Sequence, residues 1–322
     1  MADTRTRHRW TDADIPDQQG RTVVVTGGNT GLGFETARML ARRGASIVLA
    51  CRNEEKAAAA AERIETVASP DAEISTVPLD LASLASVHRA AERLRAEHPR
   101  IDLLINNAGG VRPRYGRTED GFELTLATNH LGPFALTGLV LDRLLTTSGS
   151  RIVTVSSIGH RRGPINFDDL QSEHGYRYNQ AYFQSKLANL MFTYELQRRL
   201  AAAERDTLAV AAHPGNARTE FGRDMNVMVR AAMSPRLRII TSWMLQSPHM
   251  GALAIARAAA DPTARGGDYY GPPGRSQFTG HPARVESSPR SHDQSAQLRL
   301  WQESERLTGV TVPLPPPSYR QA

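Results

Sequence analysis

Residues 22–33 read Thr22-Val23-Val24-Val25-Thr26-Gly27-Gly28-Asn29-Thr30-Gly31-Leu32-Gly33. The β-branched opening suits a strand buried on both faces, as in the middle of a parallel sheet. The glycines then permit a tight turn and let a diphosphate approach the backbone closely. Helix formers follow over 34–43 and stop at Gly44. A helix that starts at such a turn presents free N–H groups and the positive end of its dipole to an anion. A glycine-rich loop alone is a weak signal. Its place between a first strand and a first helix is what gives it meaning.

The strand–helix unit recurs downstream. A second apolar run covers 46–50, and the pattern predicts helices over 54–67, 84–97, 120–145 and 180–199. Strands are predicted over 74–78, 103–105, 151–155 and 208–212. This alternation predicts an α/β fold, a single doubly wound (Rossmann-type) domain with a parallel sheet covered by helices on both faces. No linker divides the chain, and no repeat of solenoid period occurs. The first twenty residues read as an arm and 21–312 as the domain. Residues 313–322, with four prolines in 313–317, read as an extended tail.

The chain has 322 residues, 40% hydrophobic and 22% charged, enough to build a packed core. Net charge is +6, but the arginines are spread along the chain, so they read as a solvated surface and no nucleic-acid partner is expected. The polar stretch 1–20 lacks the apolar core of a signal peptide. The best apolar run, 225–245, is broken by Arg230, Arg236 and Arg238, so no integral membrane segment is expected. Cys51 is the sole cysteine, which fits a reducing, cytoplasmic setting. No metal site is expected.

Three residues separate Gly27 from Gly31 and one separates Gly31 from Gly33. This spacing departs from the usual dinucleotide fingerprint and resembles the short-chain dehydrogenase/reductase family. The resemblance extends, in the family's order, through Asp80-Leu81, Asn106-Asn107-Ala108-Gly109, Ser156-Ser157, Tyr182-x-x-x-Lys186 and Pro214-Gly215. It implies a nicotinamide cofactor whose diphosphate lies on Gly27, Asn29, Thr30, Gly31, Leu32 and Gly33. It also implies that Asp80 holds the adenine amino group with the Leu81 backbone beside it. Asn106, Ala108 and Gly109 would line the path to the nicotinamide ribose. Pro214, Gly215, Asn216 and Thr219 would sit by the carboxamide. Family members commonly pair through helices, so the resemblance implies a homo-oligomer. Asp80 reads equally well as a turn residue ahead of the helix near Ser83.

The second strand ends in Ala50-Cys51-Arg52-Asn53, with no acidic residue between Ser46 and Asn53. An acid here would accept from a free ribose 2′-hydroxyl, whereas arginine suits a 2′-phosphate. Arg52 and Asn53 therefore point to NADP, with NADPH preferred over NADH. The competing reading of Arg52 is an ordinary surface arginine.

Tyr182 and Lys186 stand four apart on a predicted helix and so share a face. A free phenol, with a pKa of about 10, is a poor acid–base catalyst at neutral pH. A nearby ammonium, together with the positive nicotinamide ring of an oxidised cofactor, would favour the phenolate and lower that pKa. Alone, such a pair is more often surface decoration. Here Ser157 ends a predicted central strand and points to the same crevice, where its hydroxyl can hold a substrate oxygen. The family's pattern places its catalytic serine second of the two, Ser157 rather than Ser156. Asn129 matches a fourth member, a helix asparagine whose backbone holds a water against the lysine; simple helix packing is the other reading of it.

Ser157 and Tyr182 lie twenty-five residues apart, wider than in compact members. The extra segment, the run Ser185-Lys186-Leu187-Ala188-Asn189 and the late Leu300-Trp301 resemble the retinol dehydrogenase-like branch, which implies a bulky apolar small-molecule substrate. Met225, Met228, Met233, Trp243 and Met244 in 220–250 suit an adaptable lid over such a substrate, or an apolar face buried in the fold or a dimer. Two rival readings share the frame: a nucleotide-sugar epimerase-like enzyme and a non-catalytic NADP(H) sensor. The first would need a larger C-terminal substrate domain, which the residues after Thr219 scarcely provide. The second would not need the tyrosine and serine.

Overall fold

A computed structural model describes residues 9–217, 246–274 and 276–317. Its strands are β1 (Thr22–Thr26), β2 (Ser46–Cys51), β3 (Ile74–Pro78), β4 (Leu103–Asn106), β5 (Arg151–Val155), β6 (Leu208–Ala212), β7 (Tyr269–Gly271) and β8 (Ala283–Arg284). They form one sheet in the order β3-β2-β1-β4-β5-β6-β7-β8. All pairings are parallel except that of β7 with β8.

Successive side chains of a strand face opposite ways, and each strand here feeds two apolar layers. Val23, Val25, Ile47, Leu49, Leu103 and Ile105 join one; Val24, Val48, Ala50 and Leu104 join the other. The first layer is closed by α1 (Gly31–Ala41), α2 (Glu54–Glu65) and a helix at Pro248–Ala260; the second by α3 (Leu84–Glu97) and by helices at Gly132–Leu145 and Tyr178–Ala202. This is the predicted doubly wound sheet. Among the described residues, the sequence reading missed the last two strands, β7 and β8. They are three and two residues long, too short to show alternation.

The helix expected over 120–145 begins four residues later. Gly121 (φ +85°) sits in a turn. The Glu123 carboxylate then accepts the N–H groups of Thr125 and Leu126, both at 2.7 Å, and starts the helix. The run passes through α4 (Leu124–Leu126), a π-helical turn at Ala127–Leu131, and α5 (Gly132–Leu145). Among the described residues, Leu124–Leu145 is long and apolar enough to cross a membrane, but its most apolar window is 78% buried inside the protein. It is a core helix, packed against α3.

The helix α6 (Tyr178–Ala202) is buried on most of its surface. α7 (Pro248–Ala260) lies against α1, and α8 (Gln294–Thr308) against α6. The first and last described segments rest on the body. Trp10 and Ile15 are buried in the first layer, and Val310, Val312 and Leu314 in the second.

Candidate active site

From β1 the chain winds outward through β2 and β3, then returns to the other side of β1 as β4. At this reversal neighbouring connections part, and their strand ends leave a crevice. The turn after β1 and the segment 106–110 after β4 both open there.

The β1–α1 turn is built from backbone. Gly27 and Gly31 have φ of +64° and +57°, a region other residues rarely adopt. A Cβ on Gly33 would collide with Asn107 Nδ2 and lie 2.5 Å from the Gly27 carbonyl oxygen. Thr26 Oγ1 accepts the N–H groups of Asn107 and Ala108, each at 3.0 Å, while Asn107 Nδ2 donates to Thr26 O at 2.9 Å. The turn is thus fastened to the end of β4. Thr30 precedes α1 without a side-chain cap. The N–H groups at Gly31, Leu32 and Gly33, which a helix start cannot pair internally, are left for an anion. A diphosphate fits this cradle, and the residues present are the expected set, with Asn29 in the turn itself.

At one end of the crevice, Arg52 Nη1 lies 3.9 Å from Asp80 Oδ2, with the arginine side chain 65% exposed. Asp80 Oδ1 also accepts Ala82 N–H at 2.9 Å, while Ser83 caps α3. The turn role of Asp80 is therefore real, and Oδ2 still faces Arg52. Asn53 Oδ1 accepts Lys56 N–H at 2.7 Å, so its side chain serves as the cap of α2. Leu81 is buried, and its carbonyl packs on Gly132, where a Cβ would not fit.

The opposite end is built from side chains of three elements. Ser157, just past β5, caps the 3₁₀ turn Ile158–Arg161, its Oγ accepting Gly159 N–H at 3.1 Å. That hydroxyl is also hydrogen-bonded to the Tyr182 phenol. Ser156 is turned away, donating to Lys186 O at 2.7 Å in the core. Lys186 Nζ donates to Val155 O at 3.0 Å and lies 5.9 Å from the Tyr182 ring centre.

Asn129 sits in the π turn. Its Oδ1 accepts Gly110 N–H at 2.8 Å, and its Nδ2 donates to Gly110 O and Ser185 Oγ, both at 2.9 Å. Ser185 in turn donates to Tyr182 O at 2.8 Å. A Cβ on Gly109 would lie 3.0 Å from Asn129 Oδ1 and 3.2 Å from Lys186 Nζ. The absence of a side chain at Gly109 lets β4's loop, the π turn and α6 meet. Asn106 is not part of this meeting by its side chain, which donates to Thr137 in the core at 2.9 Å.

On the last wall, Gly215 takes φ +63° and Asn216 N–H donates to Phe278 O at 2.7 Å. Gly251 of α7 allows Leu32, Pro214 and Ala217 to close on one another. Thr219 and nearly all of the expected lid lie outside the described residues.

Burial sets the charge states. It pushes the Tyr182 phenol up to about 12, although part of the side chain remains exposed and the Ser157 bond pulls the other way. It brings Lys186 down to about 8. The Lys186 ammonium is turned to Val155 O. An un-ionised phenol at neutral pH is a proton donor, and Ser157 stands beside it to hold the acceptor.

Sequence reasoning overlooked Thr26, Asn107 and Ser185, although each lies inside or beside a motif. Thr26 and Asn107 are 81 residues apart, and no local pattern announces such a partnership.

A family profile described as short chain dehydrogenase matches residues 21–229. Retinol dehydrogenase 13 of Homo sapiens is 42% identical over 309 residues, 94% of this chain and 87% of the relative. Retinol dehydrogenase 14 of Mus musculus is 39% identical over 300 residues, 90% of this chain and 86% of the relative. A solved, uncharacterised protein from Mycobacterium paratuberculosis is 41% identical, with a TM-score of 0.78 over 95% of this chain and 100% of its own. The chain belongs to the short-chain dehydrogenase/reductase family, as an enzyme of its retinol dehydrogenase-like branch.

Proposed function

We propose that the enzyme is an NADP(H)-dependent oxidoreductase that interconverts a carbonyl and an alcohol on a bulky apolar substrate, with Tyr182 as general acid/base. The observation that carries this reading is the meeting of Ser157, Tyr182 and Lys186 at one end of a crevice whose other end is a diphosphate cradle.

The nicotinamide supplies or accepts the hydride when bound. The chain's own residues handle the oxygen and the proton. Ser157 Oγ donates to the carbonyl oxygen and holds it beside the phenol. Tyr182, un-ionised at neutral pH, gives its proton to that oxygen as it becomes an alkoxide. Lys186, turned from Val155 O, would hydrogen-bond the nicotinamide ribose and place positive charge near the phenol. In alcohol oxidation the phenolate must form first, so oxidation should accelerate as pH rises.

Arg52 beside Asp80, with no acid ending β2, supports the preference for NADPH. The relatives' names support an apolar carbonyl such as a retinoid aldehyde. The test is NADPH and NADH consumption by the full chain with all-trans-retinal, long-chain and short aldehydes. We expect turnover with NADPH and the bulky aldehydes. Tight NADPH binding with no turnover on any of them would overturn the reading in favour of a sensor.

A further inference from the structure

We infer that His160 is a positioning residue that clamps the backbone of Ser157 from behind and ties it to the C-terminal part of the chain at Ser288. The inference rests on the carbonyl chemistry proposed above, because it concerns the serine that holds the substrate oxygen.

His160 lies three residues after Ser157, in the 3₁₀ turn that Ser157 caps, and its side chain is fully buried. Its Nδ1 is 2.6 Å from Ser157 O, and its Nε2 is 3.1 Å from Ser288 N. A backbone N–H can only donate, so Nε2 must carry the lone pair and Nδ1 the proton. The ring therefore donates to Ser157 and accepts from Ser288, two partners that each have one possible role. The tautomer follows from the contacts. Burial holds this imidazole at about 4, so it stays neutral and able to accept at neutral pH.

The Ser157 carbonyl also accepts His160's own N–H at 3.1 Å. Together these bonds fix the peptide from which the Ser157 hydroxyl projects. The hydroxyl has two further ties, Gly159 N–H and the Tyr182 phenol. Behind the ring, Tyr269 packs edge-on at 5.7 Å and also touches His213 at 5.1 Å. His213 Nδ1 accepts Gly215 N–H at 3.2 Å. A buried wedge of two histidines and a tyrosine thus stands behind the loops that follow β5 and β6. The C-terminal segment at Ser288 reaches the active-site serine through His160, across 128 residues of sequence. Catalysis by held groups is sensitive to displacements of about 1 Å, which cost up to ~10²-fold.

Two variants and one spectrum test this. His160→Ala removes both bonds. His160→Asn keeps an amide donor near the Nδ1 position and loses the bond to Ser288. With NADPH and all-trans-retinal, the alanine variant should lose about 10- to 100-fold in kcat, with KM and NADPH Kd little changed, and asparagine should restore most of the loss. A full kcat in His160→Ala, or an asparagine variant as slow as the alanine one, overturns the assignment. Side-chain ¹⁵N NMR of the unmutated full chain should show His160 as the Nδ1–H tautomer between pH 6 and 8. An Nε2–H tautomer overturns it as well, even if the alanine variant fails to fold. Wild-type protein that turns over no carbonyl would defeat the proposed function instead, and the spectrum would still decide the clamp.

Discussion

The two ends of the crevice are made of different material. The cradle after β1 is backbone: glycines at positive φ, an uncapped helix start, and a close approach that any Cβ at Gly33 would prevent. The end at Ser157 is side chain. Ser157, Tyr182, Lys186 and Asn129 come from β5, α6 and the π turn, and are held by Gly110, Ser185 and His160. Backbone donors are fixed once a short stretch adopts its turn. Side-chain constellations exist only when distant elements dock, so they need supporting bonds. The first should fail through sterics, the second through chemistry.

The largest expected effect lies at the side-chain end. Tyr182→Phe removes the proton donor and should cut kcat by about 10²- to 10⁴-fold, while NADPH affinity stays within a fewfold. Near-normal turnover would remove Tyr182 from the mechanism and erase the contrast.

Gly33→Ala attacks the other end. The added Cβ must displace Asn107 or the Gly27 carbonyl, an overpacking cost of about 1–3 kcal/mol. NADPH Kd, followed by fluorescence, should rise by roughly tenfold or more at that cost, and kcat at saturating cofactor should change less. An unchanged Kd would show that the turn does not carry the diphosphate.

Arg52→Ala sharpens the comparison, since Arg52 is a side chain at the cradle's end. A hydrogen bond to a charged group contributes about 1.5–3 kcal/mol, and the side chain is 65% exposed. The NADPH-to-NADH ratio of kcat/KM should therefore fall by about tenfold, at the low end of that range. If the ratio does not move, Arg52 is only a surface arginine.

The last effect is on stability rather than activity. Burial holds His130 and His160 at about 4 and His213 at about 3. In the unfolded chain these groups take a proton near pH 6.5, so between that pH and their folded values the unfolded state binds more protons. Stability must then fall as pH drops below about 6.5, by at most ~1.4 kcal/mol per pH unit per site. Thermal melts should show Tm several degrees lower at pH 5 than at pH 7. A flat Tm would mean that these histidines are protonated at little cost.

Much of this was legible before any coordinates. The β-branched run at 22–26 is a central strand, and the boundaries of β3, β5 and β6 are as the pattern predicts. Arg52 ends β2 and stands beside Asp80, a pairing that the separate motifs did not announce. Local pattern could not show that Asn53 Oδ1 caps a helix, or that Asn106 Nδ2 donates to Thr137. Nor could it show that Lys186 points to Val155 O. Each depends on which way a side chain turns, and that is settled by partners far along the chain.

By itself the amino-acid order determined the alternation of strand and helix, the glycine spacing of the turn and the family to which the chain belongs. Those features repeat every few residues or sit within one turn, where propensity and sterics act locally. Only the tertiary structure decided that Asn129 grips Gly110, that His160 bridges Ser157 and Ser288, and that burial pushes the phenol's pKa up. These are long-range meetings in a low-dielectric interior, and neither the meeting nor the dielectric can be read from neighbours in sequence.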